Sequence, residues 1–437
     1  MPCPGLAGKR AVLTPSLCPS PVSDCGASAT LVDRADVIIL GGGLVGLALA
    51  AALDSSGLST IIVDPADPDQ RTDASFDGRT SAVSSSSMRM LRATGVADHL
   101  PVQGCPILKI QVADGVQPGG LAFEPQGDDD EPLGWMHENR HLRAALRARA
   151  EGGKRIWLLW KSRVAAIDRG QHQIVASLDD GRKLSAPLLV AADGRNSPMR
   201  DQAGIRTARW RYDHSAIVSV LRHELPHENV AYEIFYPTGP FALLPMTDDE
   251  QGHRSAIVWS VQKDDVPGLL SLSDEDFSAE AAKAMGGFLG AIALAAPRST
   301  YPLGFHHASQ ITSDRLALVG DAAHAVHPIA GQGLNLGFRD AAALAQVLVE
   351  GARLGLDLGD KQLLDRYQRW RSLDALMVSM ATDSLTRVYG VPGRTASAVR
   401  RFGMGVIDRI GPIKDRLMSE ARGTSGSLPL LLRGLPI

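Results

Sequence analysis

An apolar run, three glycines and an acidic residue between Asp36 and Asp64 constrain this chain more than any other stretch of its 437 residues. Asp36 to Leu40 reads as a short strand, followed by Gly41, Gly43 and Gly46 in a G-x-G-x-x-G pattern. Leu44 to Leu53 has the apolar spacing of a helix, and Thr60 to Val63 reads as a second strand closed by Asp64 and Pro65. Strand, glycine turn, helix and strand within about 30 residues make a βαβ unit, which implies a parallel sheet. The first glycine permits the tight turn, the second lets the backbone approach a pyrophosphate, and the third lets helix and strand pack closely. The helix start adds N–H groups and a partial positive charge for phosphates. Asp64, 18 positions after Gly46, is placed to accept hydrogen bonds from an adenosine ribose. A dinucleotide site is therefore expected, although this motif alone does not separate NAD from FAD.

The rest of the chain predicts a discontinuous nucleotide-binding body with an inserted sheet. Ala82 to Thr94 reads as a helix stopped by Gly95, and His141 to Glu151 as another. Val164 to Ile167, Ile174 to Leu178 and Lys183 to Val190 read as strands. Between about Asp213 and Tyr301 the pattern changes to an antiparallel sheet, with strands at Ala216 to Leu221, Ala231 to Tyr236, Phe241 to Pro245 and Ser255 to Val261. One helix follows near Asp274 to Leu289, then a strand at Arg315 to Val319 and a helix from Leu336 to Val349. Asp360 to Met418 reads as mainly helical. The expected division is a tail at 1–33, a nucleotide-binding domain at 34–105, 138–212 and 302–350, a substrate domain at 106–137 and 213–301, and a helical region at 351–437.

Composition narrows the partners. A net charge of -3 with 21% charged residues gives no reason to expect nucleic acid, and no apolar run reaches the ~20 residues that span a bilayer. Cys3, Cys18, Cys25 and Cys105 show neither CxxC nor metal-ligand spacing, so a reducing cytoplasm and no structural metal are expected. The Pro-, Ser- and Ala-rich tail is expected to be disordered.

Three further motifs identify the dinucleotide. In RLALVGDAAHAVHPIAGQGLNLGFRDA, Arg315 to Ala341, Asp321 stands at a strand end where it could accept bonds from a ribityl chain. After Pro328, residues Gly331, Gln332, Gly333, Leu334 and Asn335 offer backbone N–H groups at a helix start, suited to an electron-rich flavin edge. LLVAADGRNSPMR, Leu188 to Arg200, places Asp193-Gly194 after an apolar strand; DGRTSAVS, Asp77 to Ser84, places Arg79 within reach of pyrophosphate or ribose.

In this order after G-x-G-x-x-G, these motifs resemble the group A flavoprotein aromatic hydroxylases, whose type fold is that of p-hydroxybenzoate hydroxylase. With LGWMHENRHLRAAL (Leu133 to Leu146) and GPFALLP (Gly239 to Pro245), the chain looks like the ubiquinone-biosynthesis hydroxylases over about Asp36 to Met418. The resemblance implies an α/β fold with an inserted, mainly antiparallel substrate sheet and a helical C-terminus. It implies noncovalent FAD held by Gly41, Gly43, Gly46, Asp64, Arg79, Asp321 and Gly331 to Asn335, with Asn139 toward the diphosphate and Val164 where a strand backbone meets the adenine. It also implies NAD(P)H as co-substrate, a flavin C4a-hydroperoxide as oxidant, and the ring of a polyprenylated phenol or quinone precursor as substrate. No second Rossmann unit is visible for the nicotinamide, so its binding is expected to be transient, and another protein could supply the electrons. A hydroxylase of a soluble phenol, a flavin-dependent polyprenyl reductase and a non-catalytic partner-binding protein share the motifs. The family often carries Glu where Asp64 stands, and the ending GTSGSLPLLLRGLPI departs from the usual one.

Other residues have plainer expected roles. His324 and His327 have no carboxylate beside them in the sequence and read as packing or hydrogen-bonding groups near the flavin. His306-His307 reads as a surface pair, and Trp157 and Trp160 as core or helix-edge residues. From Arg387 to Arg422, eight basic residues face three acidic ones, with Phe402, Val406 and Ile410 forming an apolar stripe. Such a segment suits peripheral contact with an anionic membrane or with an acidic partner in a ubiquinone-biosynthesis complex; packing on the nucleotide-binding body is the simpler alternative.

Overall fold

The computed structural model describes residues 32–71, 78–116, 120–125, 131–325, 331–372 and 411–437. Pro328, His327 and most of the basic stripe, including Phe402, Val406 and Ile410, lie outside these residues.

A six-stranded sheet forms the base of the dinucleotide-binding body. Its spatial order is Thr312–Ser313, Leu316–Leu318, Leu188–Ala191, Val37–Leu40, Thr60–Asp64 and Ile156–Trp160. All but the first run parallel. Counted along the chain from Val37, the parallel strands stand in the order 3-2-1-4-5, the arrangement that binds dinucleotides where the order reverses. Val37–Leu40, Thr60–Asp64, Leu188–Ala191 and Leu316–Leu318 are buried throughout, as expected for parallel strands covered on both faces. Helices Leu44–Ser55 and Gln332–Arg353 lie together, with Val45 so close to Gly320 and Gly337 that a Cβ at Gly337 would sit 2.6 Å from its methyl group. The connection between the third and fourth parallel strands runs through Val164–Arg169, Ile174–Leu178 and Lys183–Ala186, which form a small sheet with Val32–Arg34.

A nine-stranded sheet carries the second half of the structure. Ser299–Ala308, Thr207–His223, Gly252–Gln262, Gly239–Asp249 and Val230–Tyr236 pair antiparallel, and Val230–Tyr236 then pairs parallel with Lys109–Asp114. The expected strands are all present but longer; Thr207–His223 alone runs 17 residues. The helix Asp274–Met285 starts where Ser273 accepts from the Asp276 N–H and ends at left-handed Gly286. His324–Ala325 pairs with Ser299–Ala308, so the segment after Asp321 is stitched into this large sheet.

Several local expectations are corrected. Thr80–Ser84 is a strand paired with Gly134–Glu138, and the helix begins only at Ser85, capped by the Ser84 hydroxyl. Cross-strand pairing overrides the helix-like spacing of Ala82 and Val83. Trp157 and Trp160 lie in a parallel strand, Trp157 half exposed at the sheet edge. His306 is buried rather than superficial. At the end of the chain Leu431 and Leu432 are buried in the main core, Trp370 Nε1 donates to the Ser427 carbonyl, and the Leu430 N–H donates to Gln346.

Candidate dinucleotide site

The strand ends decide where the motifs meet. Leu40, Asp64, Ala191 and Leu318 close four adjacent parallel strands at one edge, so the loops that follow converge on a single crevice. Gly41 has φ +109°, and a Cβ there would lie 2.3 Å from the Ala192 carbonyl oxygen. A Cβ at Gly46 would lie 2.0 Å from the Gly41 oxygen. Both glycines are required by the protein's own packing. Gly43 is different: its backbone is extended (φ -78°, ψ -178°), and a Cβ would meet nothing within 4 Å among the described residues. The helix N-cap thus borders an open cradle that a side chain would fill, as the close approach of a pyrophosphate requires. Gly333, in the first turn of Gln332–Arg353, faces similar open space.

Asp64 braces this loop. Its Oδ2 accepts from the Gly42 N–H at 2.7 Å, and Oδ1 accepts from the Ala66 N–H at 2.8 Å. A carboxylate offers about four acceptor positions, so ribose recognition is compatible with the bracing. The Trp160 ring occupies the place of a Gly42 side chain. Val164 begins the next strand, beyond Ser162, whose N–H donates to the Asp64 carbonyl.

On the other side of the crevice, Gly320 (φ +60°) turns the chain so that Asp321 opens onto the cleft. The side chain is reachable by solvent yet enclosed by protein, and this burial pushes its carboxyl pKa up against the pull of Arg195 and His324. Buried Arg200 holds the turn from below, donating to the carbonyls of Ala322 and Arg195. His306, held down to about 4 by burial, is neutral, and its Nε2 lies 2.7 Å from the Asp321 carbonyl, to which it donates. Gly331, left-handed at φ +61°, starts helix Gln332–Arg353. The N–H groups of Gln332, Gly333 and Leu334 stand in the first turn, where a helix provides no acceptor of its own. Asn335 is the fourth helical residue, and its buried side chain ties the helix to Thr80–Ser84: Nδ2 donates to the Ala82 carbonyl, and Oδ1 accepts from the Ser84 N–H. Asn139, at the first position of Asn139–Glu151, donates its N–H to the Arg79 carbonyl and accepts from the Ser81 hydroxyl.

The fold gives His324 a partner that its sequence neighbours do not. His324 does have a carboxylate beside it: Asp340, 16 residues later on the long helix, with His324 Nε2 and Asp340 Oδ2 2.8 Å apart. At this distance a protonated imidazole forms an ion pair with the carboxylate. Asp340 also accepts from Arg371 Nε at 2.7 Å and from the Gly320 N–H at 3.0 Å. Burial pushes the Asp340 carboxyl up, but the opposing charges of His324 and Arg371 outweigh it and hold the pKa below the usual range. A partner 16 residues away on a different element leaves no local signal, which is why this group escapes a reading by neighbours.

Sheet order, an open glycine cradle at the order reversal and a large sheet stitched to the Asp321 turn define a flavoprotein of the aromatic-hydroxylase class. Residues 34–381 match the FAD binding domain family. The ubiquinone hydroxylase UbiL of Rhodospirillum rubrum is 42% identical over 406 residues, covering 92% of this chain and 94% of the relative. Human ubiquinone biosynthesis monooxygenase COQ6 is 30% identical, covering 88% and 92%. Among solved structures, p-nitrophenol 4-monooxygenase PnpA of Pseudomonas putida superposes with a TM-score of 0.74 at 17% identity, covering 91% of this chain and all of the other, and shows the shared fold. The chain belongs to the ubiquinone-biosynthesis hydroxylase family of FAD-dependent monooxygenases.

The fit to FAD carries a testable consequence at Asp321. A ribityl hydroxyl placed to donate to this carboxylate would favour its charged form, and FAD binding should then weaken as pH falls through the raised pKa. The apoprotein should respond oppositely: a carboxyl raised by folding costs stability above that pKa, and the cost disappears as the pH falls below it. Asp321→Asn should remove most of the pH dependence of FAD affinity in this window, and Asp321→Ala should lose a charged acceptor worth ~1.5–3 kcal/mol. Fluorescence titration of wild-type and variant apoproteins with FAD from neutral pH down into the acid range measures both; a wild-type affinity no more pH-dependent than that of Asp321→Asn rejects the role.

Proposed function

We propose that the protein hydroxylates the aromatic ring of a polyprenylated phenol or quinone precursor of ubiquinone, with NAD(P)H as reductant and O2 as oxidant. The observation that carries this reading is the pairing of His324–Ala325 with Ser299–Ala308. It makes the turn that would hold the ribityl chain continuous with the sheet that would hold the ring. Bound in the cradle, FAD supplies hydride acceptance and O2 activation. The protein supplies position: Gly43 and the opening helix would receive the pyrophosphate, Asp64 and Val164 the adenosine end, Arg79 and Asn139 the diphosphate, and Asp321 the ribityl chain. The first-turn N–H groups of Gln332, Gly333 and Leu334 would stabilise negative charge on the reduced ring, where oriented donors act most strongly away from water. The relatives named for ubiquinone hydroxylation support the substrate class.

A prenyl chain favours delivery from a membrane surface or from a lipid-carrying protein complex. No helix among the described residues is long and apolar enough to cross a membrane. Of the basic C-terminal residues that lie within the described part, Arg422 is largely covered and stands 3.9 Å from Glu131, whereas Arg416 is exposed.

Purified protein should be yellow and should consume NAD(P)H in an O2-dependent reaction stimulated by a short-chain prenylated phenol, giving a hydroxylated ring by mass spectrometry. Stimulation by small soluble phenols alone would replace the proposed substrate class. Quinone profiling in a deletion strain then identifies the ring position from the intermediate that accumulates.

A further inference from the structure

Arg79 leaves the dinucleotide-binding body and meets the large sheet. Its Nε donates to the Tyr301 hydroxyl at 2.6 Å, and its guanidinium carbon lies 5.1 Å from the centre of the same ring. Tyr301 belongs to Ser299–Ala308 and stands opposite Ala216 in Thr207–His223, so the contact joins two sheets whose residues are 222 positions apart. The turn that delivers Arg79 leans the same way: Gly78 has φ +76°, and a Cβ there would lie 3.2 Å from the Pro297 carbonyl oxygen. The Arg79 carbonyl is held in turn by the N–H of Asn139.

We propose that Tyr301 is a positioning residue that sets the guanidinium of Arg79 for the FAD diphosphate and so couples cofactor affinity to the substrate sheet. The inference rests on the reading above in which Arg79 receives that diphosphate. A guanidinium recognises phosphate through a planar fork, and an exposed arginine samples many rotamers before it binds. The bond to Nε and the guanidinium's place over the ring restrain the direction of the fork. Arg79 then meets the anion with its conformational freedom already reduced. Because Tyr301 is carried by the large sheet, any displacement of that sheet also displaces the diphosphate ligand.

The test is a double-mutant cycle on FAD affinity, measured by fluorescence titration of full-length apoprotein. Tyr301→Phe keeps the ring and removes the hydroxyl; it should raise the FAD dissociation constant about 3- to 10-fold, with Tyr301→Leu at or beyond the upper end. In an Arg79→Ala background the same Tyr301 changes should have little further effect. Thermal unfolding of the apoproteins separates a merely structural role, which would lower the melting temperature without this non-additivity. Tyr301→Phe with wild-type affinity, or with an equal effect in the presence and absence of Arg79, overturns the positioning role. Arg79→Ala with unchanged affinity overturns instead the assignment of Arg79 to the diphosphate.

Discussion

Gly43→Val should give a folded protein that is colourless and takes up no FAD. The backbone at Gly43 is extended, a conformation that β-branched residues favour, and its Cβ direction is open for 4 Å. Among the described residues, no atom stands in the way of the added Cβ. The valine methyl groups instead enter the space that a pyrophosphate needs against the helix start. Loss of two charge-assisted hydrogen bonds, at about 1.5–3 kcal/mol each, corresponds to roughly 100-fold or more in affinity. Gly46→Val should behave differently, because its Cβ would meet the Gly41 oxygen at 2.0 Å and the loop itself must break. Flavin content and apoprotein circular dichroism of the two variants check the contrast. Normal flavin content in Gly43→Val would place the phosphates elsewhere.

Asp340→Ala should be strongly destabilising. It removes a fully buried carboxylate and with it the acceptor shared by Arg371 and the Gly320 N–H and the close partner of His324. Breaking a buried pair by removing one partner costs about 3–5 kcal/mol. Asp340→Asn retains one acceptor and should fall between wild type and the alanine variant. The sign with pH follows from a depressed folded pKa: the stabilisation is complete above the ordinary carboxylate range and is lost as pH falls through the lower folded value. Urea unfolding of apoprotein at neutral and at acid pH tests both statements. A loss below about 1 kcal/mol at neutral pH would show that the cluster behaves like a surface ion pair.

Removing Asp340 should also loosen two elements that do not touch in sequence. The Gly320 turn and the 361–372 helix share this one carboxylate, through a backbone N–H and Arg371 respectively. The Tyr367 hydroxyl, donating to the Leu318 carbonyl at 2.8 Å, is a second tie between the same helix and the strand that precedes the turn. The C-terminal region is thus fastened directly beneath the Asp321 turn.

What the sequence determined by itself is local. Asp36 to Asp64 dictates strand, turn, helix and strand because glycine conformations and short-range apolar spacing are properties of neighbouring residues. The alternation in Val230–Tyr236 and Gly252–Gln262 likewise signals strands before any partner is known. What only the tertiary structure decided is which distant groups share a space. Asp340 meets His324 through the return of a long helix, Tyr301 meets Arg79 across two sheets, and Trp160 fills the place of a Gly42 side chain through strand order. The three glycines of the first motif look alike in sequence, yet two are demanded by backbone oxygens and one by an open cradle. Periodicity records which face of an element is buried, whereas these contacts depend on how the elements are stacked, and a linear pattern carries no record of that.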